Sequence, residues 1–457
     1  MRDDLDRIAD ELSSLAELGV KKAKAKGAEE SEVFVSNVNT LSLNVKTGIV
    51  AARQGSSLGV GIRVAIGKKV GFAATSGIDD TKIERTAQEA MEVAKIRPLD
   101  PKFNHFADPI KIASRNGIID DKILGLSETD ALREVKVLSE TAFKLDKRIK
   151  ALYGGIIVQK GAFAVSNSRG IANSAKGAGM GVGVYLTATD QGKQKTGSES
   201  VDTRMLVSFG DVSSKAAQRA VKMLESKPLG KSFRTTVVWE NVSIAPLLQG
   251  MLNEASNARN VQEGKSFFKG RLGEKVASSI LTALDDGQLP EGLLTFKIDT
   301  EGIPLQTTTL IEKGVLRRHI YDTYSAFQEH RESTGAAARN WPEPFLSTPT
   351  IQTSNLVLKP GAKGLDGLVK EVDEGILVTD FVMGSGHSNM TTGEFSVVAP
   401  SAFLIKKGEV KNPLEPVTIA GNFFSSLNNI THIGSDSTIT GSGKIPSLTM
   451  DDLSVSG

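Results

Sequence analysis

Apolar residues fall into two kinds of stretch along this chain: amphipathic segments at helical spacing, and short β-branched runs cut by glycine. Leu5, Ile8, Leu12, Leu15 and Leu18 recur at three- and four-residue steps, so the N-terminal segment reads as an amphipathic helix. Helical spacing also predicts helices over Thr81–Lys95, Ser127–Lys144, Val212–Leu224, Ile244–Ala258 and Tyr324–His330. The β-branched runs predict strands over Glu32–Asn37, Thr40–Lys46, Gly59–Ile66, Lys69–Ala74, Ala151–Gln159, Gly181–Ala188, Leu293–Ile298, Ile376–Phe381 and Phe395–Ile405. With 45 glycines and only 5% aromatics, the pattern is that of antiparallel sheets joined by tight turns.

The first half repeats itself. GIVAARQGSSLGVGIRVAI begins at Gly48 and GIANSAKGAGMGVGVYLTA begins at Gly170. Gly48/Gly170, Gly55/Gly177, Gly59/Gly181 and Gly61/Gly183 pair at one offset, with Ile49/Ile171 and Val60/Val182 in register. A helix follows each copy, matching Gln88/Gln218 and Ala90/Ala220 after a small insertion. Two β-hairpin-plus-helix units stacked in one sheet would account for this, the glycines permitting bulges or close backbone approach. Turn chemistry alone is the competing explanation.

A composition break at Pro228–Ser232 follows a predicted helix and places a domain boundary there, giving domains 1–230 and 231–457. Trp341–Thr348 lies in a proline-rich run and should be irregular, and the Ser/Thr/Gly-rich stretch Gly434–Gly443 should be a turn before a last short strand. The fold class expected is α+β. The N-terminal domain would hold the duplicated β-hairpin and helix units, and the C-terminal domain a mostly antiparallel, barrel-like sheet with packed helices.

Composition narrows the function classes. The 457 residues carry 55 basic and 53 acidic side chains for a net charge of +2, which gives no electrostatic case for nucleic acid or a membrane surface. No apolar run reaches the ~18 residues of a membrane span. The acidic N-terminus lacks the features of a signal peptide, and with no cysteine there is neither a disulfide framework nor thiolate chemistry, so the expected location is cytoplasmic.

Most chemical motifs fail on inspection. His105, His319, His330, His387 and His432 form no HExxH, HxH or close helical pair. A composite metal site drawn from distant residues stays open. GxSxG is absent, and Gly384-Ser385-Gly386-His387-Ser388 reads as a flexible turn. Thr440-Gly441-Ser442-Gly443-Lys444-Ile445 lacks the first glycine of a phosphate loop, since Thr438 stands there, and Ile445 replaces the magnesium-holding hydroxyl. Gly59-Val60-Gly61 and Gly181-Val182-Gly183 lie inside strands, so they are no dinucleotide fingerprint. Asp79-Asp80, Asp285-Asp286 and Asp451-Asp452 sit beside turn residues and read as helix caps or solvated turns.

From Trp239 to Gly457 the chain carries LLQGMLNEAS, EGKSFFKGRLGEKVAS, FKIDTEGIPLQTTTLIEKGVL, YDTYSAF, ESTGAAARN, EGILVTDFVMGSGHSNMTTGEFSV and AFLIKKGEV. As a set these phrases resemble the TldD/PmbA family, also called modulator of DNA gyrase; the glycine-rich first half resembles it more loosely. TldD-like members of that family are zinc metallopeptidases with a His-Glu-x-x-x-His helix and a cysteine near the C-terminus. TldE or PmbA members lack those ligands and pair with a TldD-like subunit. Counting back from Gly264-Lys265-Ser266-Phe267-Phe268 puts the two histidine positions at Gln249 and Glu254 and the catalytic acid at Gly250. The stretch from Thr438 to Leu448 is too short for the cysteine-bearing loop. Gln249 is a weak neutral ligand and Gly250 cannot act as a base, whereas a catalytic zinc needs three protein ligands and an activated water.

The resemblance therefore implies a chain with no catalytic residue and no metal of its own, with zinc in a TldD-like partner and unfolded or small peptides as substrates. It also implies a possible homodimer, while the near-balanced charge and the lack of a long apolar run give the expectation of no nucleic acid and no membrane. Peptide would enter as an extended strand. The candidate groove-facing residues are Asp299, Glu301, Tyr324, Ser333, Thr334, Arg339, Asn340 and His387, each of which could equally serve turn stabilisation or buried hydrogen bonding. A stand-alone peptidase with a composite site around Glu254, His319 or His387, and a peptide-binding, chaperone-like regulatory protein are the alternatives.

Overall fold

Helix α1 (Arg2–Ala25) turns Leu5, Ala9, Leu12, Ala16 and Ala23 inward, with Ile8, Leu15 and Leu18 partly buried beside them. A computed structural model describes residues 2–113 and 117–457. After α1 the chain runs β1 (Glu30–Lys46), β2 (Ile49–Ile66), β3 (Lys69–Ser76) and α2 (Asp80–Ile96). The short α3 (Asp121–Gly125) precedes α4 (Glu128–Leu145), β4 (Ile149–Asn167), β5 (Ala172–Asp190), β6 (Lys193–Thr203) and α5 (Phe209–Met223). Helix starts follow local chemistry. The Asp79 side chain accepts from Lys82 N–H at 2.8 Å, and Ser127 forms a capping box with Asp130.

The order helix, three strands, helix thus occurs twice. The six strands lie in the order β3-β2-β1-β4-β5-β6, and the antiparallel pairing of β1 with β4 joins the two units at the centre. Gly59 pairs with Ser76 in the first unit, and Gly181 pairs with Asp202 in the second. Gly71 on β3 and Gly197 on β6 serve one purpose in each copy. A Cβ on Gly71 would run into the backbone of Ala90 and Ala94, and one on Gly197 into that of Ala216 and Ala220. The closing helix of each unit therefore rests directly on a bare strand.

The two runs expected over Glu32–Asn37 and Thr40–Lys46 are one strand, because β1 pairs along its length with both β2 and β4 and needs no break at Asn39. β2 begins ten residues before the predicted Gly59, and its first half, Ile49–Ser56, is exposed. Leu293–Ile298 is not a strand. Its carbonyls go to a side chain instead: the buried Arg204 guanidinium donates to Gly292 O at 2.6 Å, Leu293 O at 2.8 Å and Thr295 O at 2.7 Å.

The second half begins with β7 (Phe233–Trp239), α6 (Asn241–Ser256) and α7 (Ala258–Glu263). One sheet runs in the order Glu394–Ala399, Val417–Asn422, Leu448–Ser456, β7, Glu374–Thr379, Ser401–Lys406, Glu409–Leu414, with Ile430–Ile433 also paired to Leu448–Ser456. Its pairings are antiparallel except that of β7 with Glu374–Thr379. A second sheet of six short strands runs from Val315–Leu316 to Thr438–Ile439. The apolar face of α6 shares one core with both sheets.

The α+β class holds. Neither C-terminal sheet closes on itself among the described residues, so the barrel-like expectation is corrected to two open sheets around a shared core. The predicted strand Phe395–Ile405 is divided at Pro400, which has no N–H to donate. Glu394–Ala399 pairs with Val417–Asn422, and Ser401–Lys406 crosses to pair with Glu374–Thr379.

Gly71→Ala and Gly197→Ala should each lower stability by roughly 1–3 kcal/mol, because a methyl must displace helix backbone. Urea titration of each variant measures this, and wild-type midpoints would show that the helices can lift away without cost.

Candidate functional site

Helix α6 buries Ile244, Leu247, Leu248, Met251, Leu252 and Ala255 in one apolar stripe, leaving Gln249, Gly250 and Glu254 half-buried on its other side. Each of these three positions is occupied by a structural contact. Gln249 donates through Nε2 to Thr440 O at 2.5 Å, so its amide ties down the loop between Thr438–Ile439 and Gly443–Ile445. Gly250 leaves room for Met390, whose methyl would lie 3.2 Å from a Cβ placed there. Glu254 accepts from Asn260 Nδ2 at 2.7 Å on one oxygen and from Asn253 Nδ2 at 3.1 Å on the other. Asn253 also accepts from Thr353 N–H at 2.8 Å.

Gln249 borders a cavity of about 160 Å³ that β6 and Phe381 also line. Beside it Arg219 pairs with Glu199 and, at 3.0 Å, with both oxygens of Glu240. Burial opposes the Arg219 charge, but Glu240, Glu199 and Asp380 outweigh it and raise its pKa. Burial raises the Glu240 carboxyl above its usual range, Arg219 opposing. Asp380 accepts from Ser198 N–H at 2.9 Å and from the Ser198 hydroxyl, which fastens the N-terminal sheet to the C-terminal half.

The sequence-predicted groove residues are placed in two groups. Asp299, Glu301, Ser333, Thr334 and Arg339 are buried. Glu301 and Arg339 belong to a four-residue ion cluster with Glu32 of β1 and Arg63 of β2. Arg63 bonds Glu32 at 2.6 Å and Glu301 at 2.9 Å, and Arg339 bonds Glu32 at 3.1 Å. Burial works against the Arg63 charge, but Glu32 and Glu301 raise its pKa above the ordinary arginine value. Burial lowers Arg339 to about 10, Glu32 opposing and Arg63 adding to the drop. Glu301 is pushed up by burial but held lower overall by Arg63 and by the Thr323 N–H.

Asp299 accepts from the N–H groups of Glu301, Ile303 and Ala337 at 2.9, 2.9 and 3.1 Å. Its pKa is nevertheless raised well above the carboxylate range by burial and by the Glu301 charge. Ser333 and Thr334 both donate to Tyr321 O, at 3.0 and 3.2 Å, and hold that turn.

The other three are less enclosed. Tyr324 is half-buried, donates to Asp100 at 3.2 Å and has the Arg259 guanidinium 4.8 Å above its ring. Burial, helped by Asp100, raises its hydroxyl to about 12. Tyr324 and Glu301 line a common cavity of about 560 Å³ with Arg63, Arg97 and Arg259. Asn340 and His387 are exposed and lie apart from that cavity, His387 in the single turn Ser385–His387. His319 is buried, and burial lowers its pKa. Among the described residues no group of three or more His, Asp or Glu side chains lies in metal-holding proximity. No helix among them is long and apolar enough to cross a membrane.

Glu32, Arg63 and Arg204 went unnoticed in the sequence. The available signal was a charge set inside an otherwise strand-like run, as in Glu32-Val33-Phe34-Val35 and Gly61-Ile62-Arg63-Val64. Such a charge on a covered strand needs a partner.

A duplicated sheet domain joined to two open sheets that share a core with one motif helix is the architecture of a metallopeptidase family. The model of the PmbA/TldA metallopeptidase C-terminal domain matches residues 232–457, that of domain 1 matches 31–94 and that of the central domain matches 121–224. The chain belongs to the PmbA/TldD family.

It is 28% identical over 417 residues to an uncharacterized protein of Methanocaldococcus jannaschii, covering 91% of this chain and 92% of that one. It is 24% identical to metalloprotease PmbA of Escherichia coli O157:H7, covering 99% of this chain and 96% of that one. Its fold matches the crystal structure of TldE from Thermococcus kodakarensis with a TM-score of 0.87 at 23% identity, over 97% of this chain and 100% of that one. A Thermotoga maritima protein described as a modulator of DNA gyrase matches equally, with a TM-score of 0.87 at 24% identity over 97% of this chain and 99% of that one.

Glu32→Ala strands Arg339 and half of Arg63 without a counter-charge in a water-poor site. It should cost about 3–5 kcal/mol, read as a fall in the urea midpoint. A shift under about 1 kcal/mol would mean that water reaches the cluster.

Proposed function

We propose that this chain is the non-catalytic, TldE/PmbA-like subunit of a two-subunit metalloprotease that degrades unfolded or small peptides. The observation that carries the reading is that all three degenerate positions are taken up structurally: Gln249 by the Thr440 loop, Gly250 by Met390, and Glu254 by Asn253 and Asn260. This donor set does not fit a zinc centre. An amide committed to a carbonyl, a residue without a side chain and a carboxylate bonded on both oxygens leave neither three ligands nor a base. Zinc and hydrolysis then belong to a TldD-like partner. What this chain contributes is surface, including the cavities beside α6 and over the N-terminal sheet. The near-balanced charge of +2 supports a peptide rather than a nucleic acid as the polymer handled.

The test is metal content by mass spectrometry together with casein and peptide hydrolysis, for the pure chain alone and mixed with a TldD-like protein of the same organism. The expected result is less than a tenth of a zinc per chain and no turnover alone, with turnover in the mixture. Stoichiometric metal and hydrolysis by the pure chain would overturn the reading in favour of a composite site. Peptide binding without turnover in any mixture would overturn it in favour of a peptide-holding protein.

A further inference from the structure

One face of the N-terminal sheet is covered at one end and bare at the other. At the covered end Phe34, Phe163 and Val165 pack against Ile298, Ile303 and Phe345 of the C-terminal half. The same face continues toward the other end, because side chains alternate between the two faces along each strand. There the pairing registers set residues opposite one another in rows across the strands. One row is Ile49, Lys46, Tyr153, Tyr185 and Ser198, and another is Arg53, Ser42, Ile157, Gly181 and Asp202. The row between them holds only small or polar residues, from Ala51 on β2 to Ser200 on β6. Ile49 is 76% exposed, Tyr153 60%, Tyr185 49% and Ile157 41%. Four large apolar side chains exposed on one sheet face mark an interaction surface. The three rows together are comparable in extent with the ~800 Å² that each partner of a stable dimer covers.

The face also carries a charge polarity. Arg53 ends its row on β2 and Asp202 ends the same row on β6, four strand spacings or ~19 Å away. Both are exposed, and neither makes an ion pair with any described residue. A partner of one charge sign would satisfy one end of the row and oppose the other, whereas a second copy satisfies both. A two-fold axis parallel to the strands and centred over β4 sets Arg53 of each copy over Asp202 of the other. The same rotation sets Ile157 on Ile157, Tyr153 on Tyr153, and Lys46 on the ring of Tyr185 as a cation–π contact. Sheets stacked in this way lie ~10 Å apart, a gap that tyrosine and isoleucine side chains from both sides fill. Ile49 of the second copy arrives over Ser198, beside the half-exposed Phe381 that lines one cavity with it.

We propose that the distal half of this sheet face is the interface of a homodimer, with a second copy of the chain stacked on it about that axis. Both copies use the same surface, so the contact is closed and assembly stops at two. The inference does not rest on the partner-subunit reading, which zinc content and hydrolysis decide on their own.

The test is sedimentation velocity of the full chain over a hundredfold concentration range. The wild type should sediment as a dimer. Arg53→Asp and Asp202→Arg each set like charges against one another across the interface, and each should weaken the dimer at least tenfold. Combining Arg53→Asp with Asp202→Arg restores opposite charges and should recover the dimer. Ile157→Lys places two ammonium groups on the axis and should leave monomer alone. All three positions are exposed in the single chain, and thermal melts confirm that each variant is folded.

A wild type that stays monomeric, a dimer untouched by either single reversal, or single reversals that the combination does not rescue overturns the proposal. A chain that is monomeric alone but forms a one-to-one complex with the TldD-like protein, lost in Ile157→Lys, also overturns it and gives the face to that partner.

Discussion

Two arginines and two glutamates with almost no access to water hold the halves of this chain in register. Glu32 and Arg63 come from adjacent strands of the N-terminal sheet, and Glu301 and Arg339 from loops of the C-terminal half. Each ion taken from water alone costs several kcal/mol, so neither half can bury its own share comfortably. Docked, the four charges sum to zero. Burial and the Glu301 charge raise the pKa of Asp299, which opposes a third negative charge beside the cluster. The constraint is one of geometry as much as energy: the guanidinium of Arg63 spans one carboxylate from its own sheet and one from a loop of the other half, which ties the two halves to a defined placement.

That placement decides where the cavities are. Phe345 reaches Gly59 and Gly61 of β2 because its segment leaves the cluster at Arg339, and the same segment brings Trp341 to the border of the cavity beside β5. The Ser198–Asp380 contact sets the second edge of the joint, beside Gln249. Helix α6 ties this arrangement together. Its polar side binds Thr440 and Thr353, and its apolar side belongs to the common core.

How much of this was legible depends on where each interaction is encoded. Amphipathic helices are local, so α1, α2 and α4 lie close to their expected bounds, with Asp79 and Ser127 standing as the capping residues. The strands of the repeat were legible because pairing and glycine placement recur at fixed offsets. Leu293–Ile298 was misread because its backbone partners sit on Arg204, some ninety residues earlier, which no local pattern reveals. Barrel closure was misjudged for a similar reason: Pro400 sends two halves of one apolar run to different neighbours. Among the candidate site residues, polar identity alone could not separate Asp299 or Thr334, consumed by backbone N–H and C=O groups, from Asn340 and His387, which face water. The ion cluster pairs residues more than two hundred positions apart, beyond the reach of spacing arguments.

Arg204 joins the two halves of the chain at a second place. One guanidinium accepts responsibility for the carbonyls of Gly292, Leu293 and Thr295, groups that in a strand would be shared among several backbone donors. Three carbonyls of the segment thus depend on one side chain, and losing it would leave all three without that donor at once. A lysine could not replace it, since a point ammonium lacks the planar fork that reaches three acceptors at once. The segment is thereby gripped from both halves of the chain, by Arg204 on one side and on the other by Asn355, which accepts from Leu294 N–H at 3.2 Å and donates to Thr295 Oγ1 at 2.9 Å.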